Sequence, residues 1–114
     1  MQERTDTQPN RAIAGVDAVV ARFGAWPAFH DWEVVELSLL RSGISKLVLS
    51  FGTSVVEFQL VDVLDLEPVD FSSQNVISDL TIEPLEEGTC FTLGPCYGVT
   101  GWIVARDWSV SLRS

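Results

Sequence analysis

The feature that most constrains this chain is a change of hydrophobic period within the stretch Trp26-Pro27-Ala28-Phe29-His30-Asp31-Trp32-Glu33-Val34-Val35-Glu36-Leu37-Ser38-Leu39-Leu40. Before it, Ile13, Val16, Val19, Val20 and Phe23 recur at spacings of three and four, the mark of one buried helical face. From Trp32 onward the period is two, because side chains on a strand alternate between its faces. A chain that makes this switch once reads as one helix followed by a sheet.

Asn10 suits the N-cap of a helix that starts at Arg11. Gly24 stands where a helix commonly ends, and Pro27 forbids much continuation. The spacing predicts a helix over 11–23, with Ile13, Val16, Val20 and Phe23 buried on the sheet. Residues 1–9 are polar and read as a flexible tail, leaving 10–114 as a single α+β domain. Ala25–Asp31 is then a connector. Pro27 pushes Trp26 toward an extended conformation, and Trp26 and Phe29 plug the junction of helix and sheet.

In the strand region, Val35, Leu37 and Leu39 share one face, with Glu36 and Ser38 on the other. Leu47, Leu49 and Phe51 form a second alternating set; Val56, Phe58 and Leu60 form a third. Turn signals separate them at Arg41-Ser42-Gly43 and Gly52-Thr53-Ser54, as in an antiparallel meander. Val61–Phe71 is irregular and interrupted by Pro68, so an edge strand is one reading of it. Ser72-Ser73-Gln74-Asn75 reads as a tight turn whose amides satisfy backbone or meet a partner. Val76–Glu83 alternates up to Pro84, and Glu86-Glu87-Gly88 turns. Cys90–Leu93 is a short strand closed by Gly94-Pro95; Val99–Val104 and Trp108–Leu112 follow. The expected fold is α+β: a strongly bent antiparallel sheet of about seven strands with one N-terminal helix packed on it. A small sandwich or partly closed barrel is the second choice.

Size permits one core in 114 residues, and 46% hydrophobic residues is too high for a disordered chain. No apolar run is long enough for a membrane helix, and the first residues lack the pattern of a signal peptide, so the expectation is a cytoplasmic protein that does not meet the membrane. The net charge is −9, with nine acids and no base between Lys46 and Arg106. Seven Lys and Arg are too few for nonspecific phosphate binding, which argues against a nucleic-acid partner. The acids serve either as a self-repelling soluble surface or as a face that attracts a basic protein. Cys90 and Cys96 flank Gly94-Pro95, where a hairpin-like turn would bring them together; reduced thiols are the expectation in a cytoplasmic setting.

Three motifs carry a family resemblance: Trp26-Pro27-x-Phe29-His30-Asp31-x-Glu33, then Gln74-Asn75-Val76-Ile77, then Gly98-x-x-Gly101-Trp102. Together they resemble the immunity protein 50 family, small α+β proteins of bacterial polymorphic-toxin loci, over about Ala25 to Leu112. The resemblance implies an immunity protein that binds and neutralises a cognate toxin. It brings no catalytic residues.

The residues themselves argue against chemistry. His30-Asp31 invites an acid–base reading, but adjacent residues do not normally supply both partners of such a pair. There is no G-x-S-x-G elbow, and neither cysteine has an activating context. One His with Asp31 and Asp62 or Asp65 is a thin metal set. The expectation is therefore a protein that is not an enzyme and needs no cofactor. Trp26, Phe29, His30, Asp31, Gln74 and Asn75 hold structure, while Asp62, Asp65, Glu67, Asp70 and Trp102 meet a basic protein toxin. A small non-catalytic structural or ligand-binding module stays open as the alternative. So does the choice between a monomer and a homodimer formed through an uncovered sheet edge.

Overall fold

The alternation that begins at Trp32 lays down strands, and their inward residues close on one another. The computed structural model describes Pro9 and residues 12–40, 43–67, 75–97 (of 95–97 the backbone alone) and 101–113. Among these residues lie one helix, α1 (Val16–Phe23), and six strands: β1 (Glu33–Ser38), β2 (Ile44–Phe51), β3 (Ser54–Leu66), β4 (Val76–Pro84), β5 (Thr89–Tyr97) and β6 (Gly101–Leu112). All neighbours are antiparallel, and the order β1-β2-β3-β6-β5-β4 closes into a barrel. The α+β reading with an antiparallel sheet and one N-terminal helix holds. The sheet is closed rather than open and bent, and among the described residues the strands number six, against about seven expected.

The barrel is filled by side chains. Leu47, Leu49, Val56, Phe58, Leu60, Ile77, Phe91 and Ile103 are fully buried, as is Phe29 from the connector. Phe58 sits among rings: Phe29 at 5.6 Å, Phe91 at 5.9 Å, Trp26 at 6.1 Å, and Trp108 stacked at 5.8 Å. Edge-to-face and offset contacts of this kind add stability beyond the area buried.

The connector closes the barrel. β1 and β4 share one register pair, Glu33 with Val76. Backbone bonds extend that seam: Val34 N–H donates to Asn75 (2.8 Å), Ile77 to Trp32 (3.0 Å), Asp31 to Ile77 (2.9 Å) and Leu80 to Ala28 (3.0 Å). Threading the connector along β4 places Phe29 (φ 63) and Asp31 (φ 67) in the left-handed region. Each such residue costs about 1–2 kcal/mol. Burying the Phe29 ring is worth about 2–3 kcal/mol and offsets its share.

Several expectations change. The helix starts at Val16 rather than Arg11, whose neighbourhood with Asn10 lies outside the described residues, as does most of the expected tail. Ala14 is drawn to the sheet instead: its carbonyl accepts from Val110 N–H at 3.0 Å. Val16 and Val19 are the fully buried helical residues, while Ile13, Val20 and Phe23 are half-buried against the core. Val35 is exposed rather than facing inward with Leu37, because a bulge between Val34 and Glu36 resets the alternation. Phe51 is also exposed, stacked on Trp32 at 5.7 Å.

Of the irregular segment, residues 61–66 continue β3, which runs on to Leu66, and 68–71, with Pro68, lie outside the described residues. Asp62 takes φ 55 and the register shifts between Val63 and Asp65, so inward positions pass from Val56, Phe58 and Leu60 to Val63. β6 makes the matching adjustment: Ile103 and Ala105 are buried, Arg106 and Asp107 exposed, and Trp108 buried again. The two strands expected there are one. Gly94-Pro95 does not turn either; Gly94 pairs with Asp79 inside β5, where a Cβ would strike the Asp79 carboxylate. Cys90 and Cys96 therefore lie along one extended strand, about 20 Å of chain apart, and no hairpin brings them together.

Candidate partner-binding face

The end of β3 carries the sequence-derived acids. At Asp62 the backbone turns, its N–H donates to Gly43 at 3.3 Å, and its carboxylate lies 3.6 Å from Arg106 Nε with both side chains about half exposed. Leu64 is the extra residue of the bulge, and Asp65 Oδ1 accepts from the Leu66 N–H at 2.9 Å, settling a strand-end amide. Glu67 N–H donates to Trp102 at 3.0 Å, which sets Glu67 beside the first residues of β6. Trp102 is half-buried between inward Gly101 and Ile103. The structure thus sets Asp62, Asp65 and Glu67 in succession along the last residues of β3 and just past it, with Glu67 beside Trp102. Asp70 and Gln74 lie outside the described residues, as do Gly98 of the third motif and Arg41-Ser42 of the first turn.

Beside these acids runs a shallow groove of about 350 Å³, lined by Leu39, Leu40, Val63, Leu64, Asp65 and Leu66. Leu40, Leu64 and Leu66 are exposed, and Ile44 adds to the same end of the barrel. Both walls are anchored: Leu40 N–H donates to the buried Ser45 Oγ at 2.8 Å, and the Asp62–Gly43 bond ties β3 to the residue just before β2. Sequence reading missed this groove. Its signal was the broken alternation of Leu39-Leu40 and Val63-Leu64, which leaves one leucine of each pair without an inward position.

Glu57, Asp79 and Glu83 do not join this group. β4 is three strands from β3 in either direction round the ring, so Asp79 and Glu83 sit on the far side. Glu57 is buried on the outer face of β3 in a network of its own. It accepts from Arg113 Nε (2.7 Å) and Nη2 (2.6 Å) and from Gln59 Nε2 (2.8 Å). Gln59 in turn accepts from Ser109 Oγ at 2.9 Å. The Gln59 hydrogen bond, then Arg113, hold the Glu57 carboxyl below its ordinary range against the opposing effect of burial. A carboxyl with a depressed folded pKa stabilises the fold above its unfolded value of about 4.3. That stability is lost as pH falls through the folded pKa. Wild-type protein is therefore expected to lose urea resistance as pH falls below about 4, and Glu57→Gln to lose less over the same interval.

The motif around His30 forms a clasp on the barrel seam. His30 Nδ1 lies 2.7 Å from the Ser78 carbonyl oxygen, so that nitrogen carries the proton and donates. Nε2 is 3.4 Å from Asp31 Oδ2, and both side chains are largely exposed. Trp26 and Phe29 pack edge to face at 5.6 Å inside the aromatic cluster. Asn75 is buried, and its carbonyl accepts from Val34 N–H. Among the described residues, no three His, Cys, Asp or Glu side chains gather as a metal set would require. Nor is any described helix long and apolar enough to cross a membrane. Comparison of the chain with protein-family models, curated proteins and solved structures finds no match.

Proposed function

We propose that this chain is a non-catalytic inhibitor of the immunity type, which binds a basic bacterial toxin in the cytoplasm through the acidic end of β3. The observation that supports the reading is the succession of Asp62, Asp65 and Glu67 along the end of β3, with Asp65 in the wall of a groove that exposed Leu40, Leu64 and Leu66 also line. An apolar centre with a charged rim is the usual anatomy of a protein interface. A chain of net charge −9 repels itself, and a basic partner relieves that repulsion. The toxin class comes from the family resemblance of the Trp26–Glu33, Gln74–Ile77 and Gly98–Trp102 motifs.

The test uses the product of the gene immediately upstream as candidate toxin. Association is expected to slow steeply between low and high salt, while dissociation changes less. The combined reversal Asp62→Lys, Asp65→Lys, Glu67→Lys is expected to cut the low-salt association rate about tenfold or more. Stopped-flow kinetics would read both. A rate indifferent to salt and to the triple reversal defeats the proposal.

A further inference from the structure

From the geometry of the groove, and resting on the reading just given, we infer the form of the partner: a protein segment that seats an apolar side chain between the ends of β1 and β3, with basic residues on either side of it. The groove is at the small end of ligand cavities, which run from about 300 to 1,000 Å³, and it is open to solvent. Such a shape takes a side chain from a partner's surface rather than enclosing a free molecule. Five of its six lining residues are aliphatic, and Leu40 is 50% exposed and Leu64 40% exposed, so water leaves apolar surface when the site fills. Ser45 and Gly43 hold the two walls before any partner arrives, which lowers the ordering cost of binding.

Charge selects what flanks that side chain. Asp65 stands in the groove wall itself, and Asp62 and Glu67 bracket the lining residues along the chain. Of the described cations, Arg106 meets this group, and it engages Asp62 alone at 3.6 Å, with both partners still half exposed. An acidic segment would meet repulsion on both flanks; a lysine- or arginine-rich one meets Asp65 and Glu67 directly. A second copy of this chain is a poor occupant on charge grounds, because the same acids would face each other.

The probes are three synthetic twelve-residue peptides titrated at low salt into the full chain labelled at both its methyl groups and its backbone amides, so that the leucines and the acids are read together. The first is lysine-rich with two central leucines, the second replaces those leucines with serine, and the third keeps the leucines but replaces lysine with glutamate. The leucine–lysine peptide is expected to shift the methyl signals of Leu40, Val63, Leu64 and Leu66 and to bind about tenfold tighter than the serine peptide. Leu64→Ser is expected to abolish that gain while leaving the serine peptide's affinity unchanged. Leu40→Ser is the second variant, used if Leu64→Ser fails to fold. Equal affinity of the leucine and serine peptides, with shifts confined to Asp62, Asp65 and Glu67, overturns the groove inference and leaves the acidic-face reading standing. If no peptide perturbs those acids, both readings fall. Tight binding of the glutamate peptide overturns the charge selection. Methyl shifts that appear on concentrating the protein alone assign the groove to a second copy and overturn the inference.

Discussion

Gly15→Ala is expected to destabilise the fold by about 3–5 kcal/mol, and Gly24→Ala by only about 1 kcal/mol. The two glycines bracket α1 and both are left-handed, at φ 92 and φ 84. Their surroundings differ. A Cβ on Gly24 meets open space, so the substitution carries the backbone cost alone. A Cβ on Gly15 overlaps the Val110 carbonyl oxygen, which belongs to the backbone of β6 and cannot step aside as a side chain would. Relief requires lifting the segment off the strand. That breaks the bond from Val110 N–H to the Ala14 carbonyl, worth about 1 kcal/mol, and uncovers part of Val16 and Val19, each worth up to about 3 kcal/mol when fully buried. Urea denaturation followed by tryptophan fluorescence compares the pair. Similar midpoints for the two variants would mean that the contact between Ala14, Gly15 and β6 does not anchor the helix.

Phe58→Ala is the second large effect, at about 3–5 kcal/mol. Phe58 is fully buried at the middle of β3, and its ring touches Trp26, Phe29, Phe91 and Trp108, which come from the connector and from two other strands. Removing it leaves a hole that the closed sheet cannot collapse to fill, since each wall strand is hydrogen-bonded to its neighbours. Against a total stability of about 5–15 kcal/mol, such a loss lowers Tm by about 10–20 °C. Trp26 and Trp108 report the change directly, through a red-shifted emission as solvent and mobility reach the cluster. A Tm within a few degrees of wild type would show that the rings repack around the vacancy.

The two effects arise from different parts of the sequence. Phe58 was legible beforehand: it lies on an alternating strand between Val56 and Leu60, and a large aromatic in that position belongs inside. Gly15 was not. It stands within an unbroken helical pattern, and only the approach of β6, nearly the whole chain away, shows why no side chain fits there. The candidate site divides in the same way. Asp62, Asp65 and Glu67 could be named from their residue types, but the groove beside them exists because a bulge at Leu64 and the end of β1 at Ser38 leave leucines outside the barrel.

By itself the sequence determined the order of helix and sheet, the inward places of Leu47 and Leu49 in β2 and of Val56, Phe58 and Leu60 in β3, and the aromatic plug at Trp26 and Phe29. Hydrophobic period and residue size are local properties, and they act before any strand finds its partner. Tertiary structure decided the closure of the barrel, the left-handed turns at Phe29, Asp31 and Asp62, the fusion of the last two expected strands into β6, and the separation of Glu57, Asp79 and Glu83 from the acids at the end of β3. These depend on which strand lies beside which. Register between distant segments is selected by the sum of burial and backbone hydrogen bonds across the whole ring, and that sum overrides a local turn signal such as Gly94-Pro95.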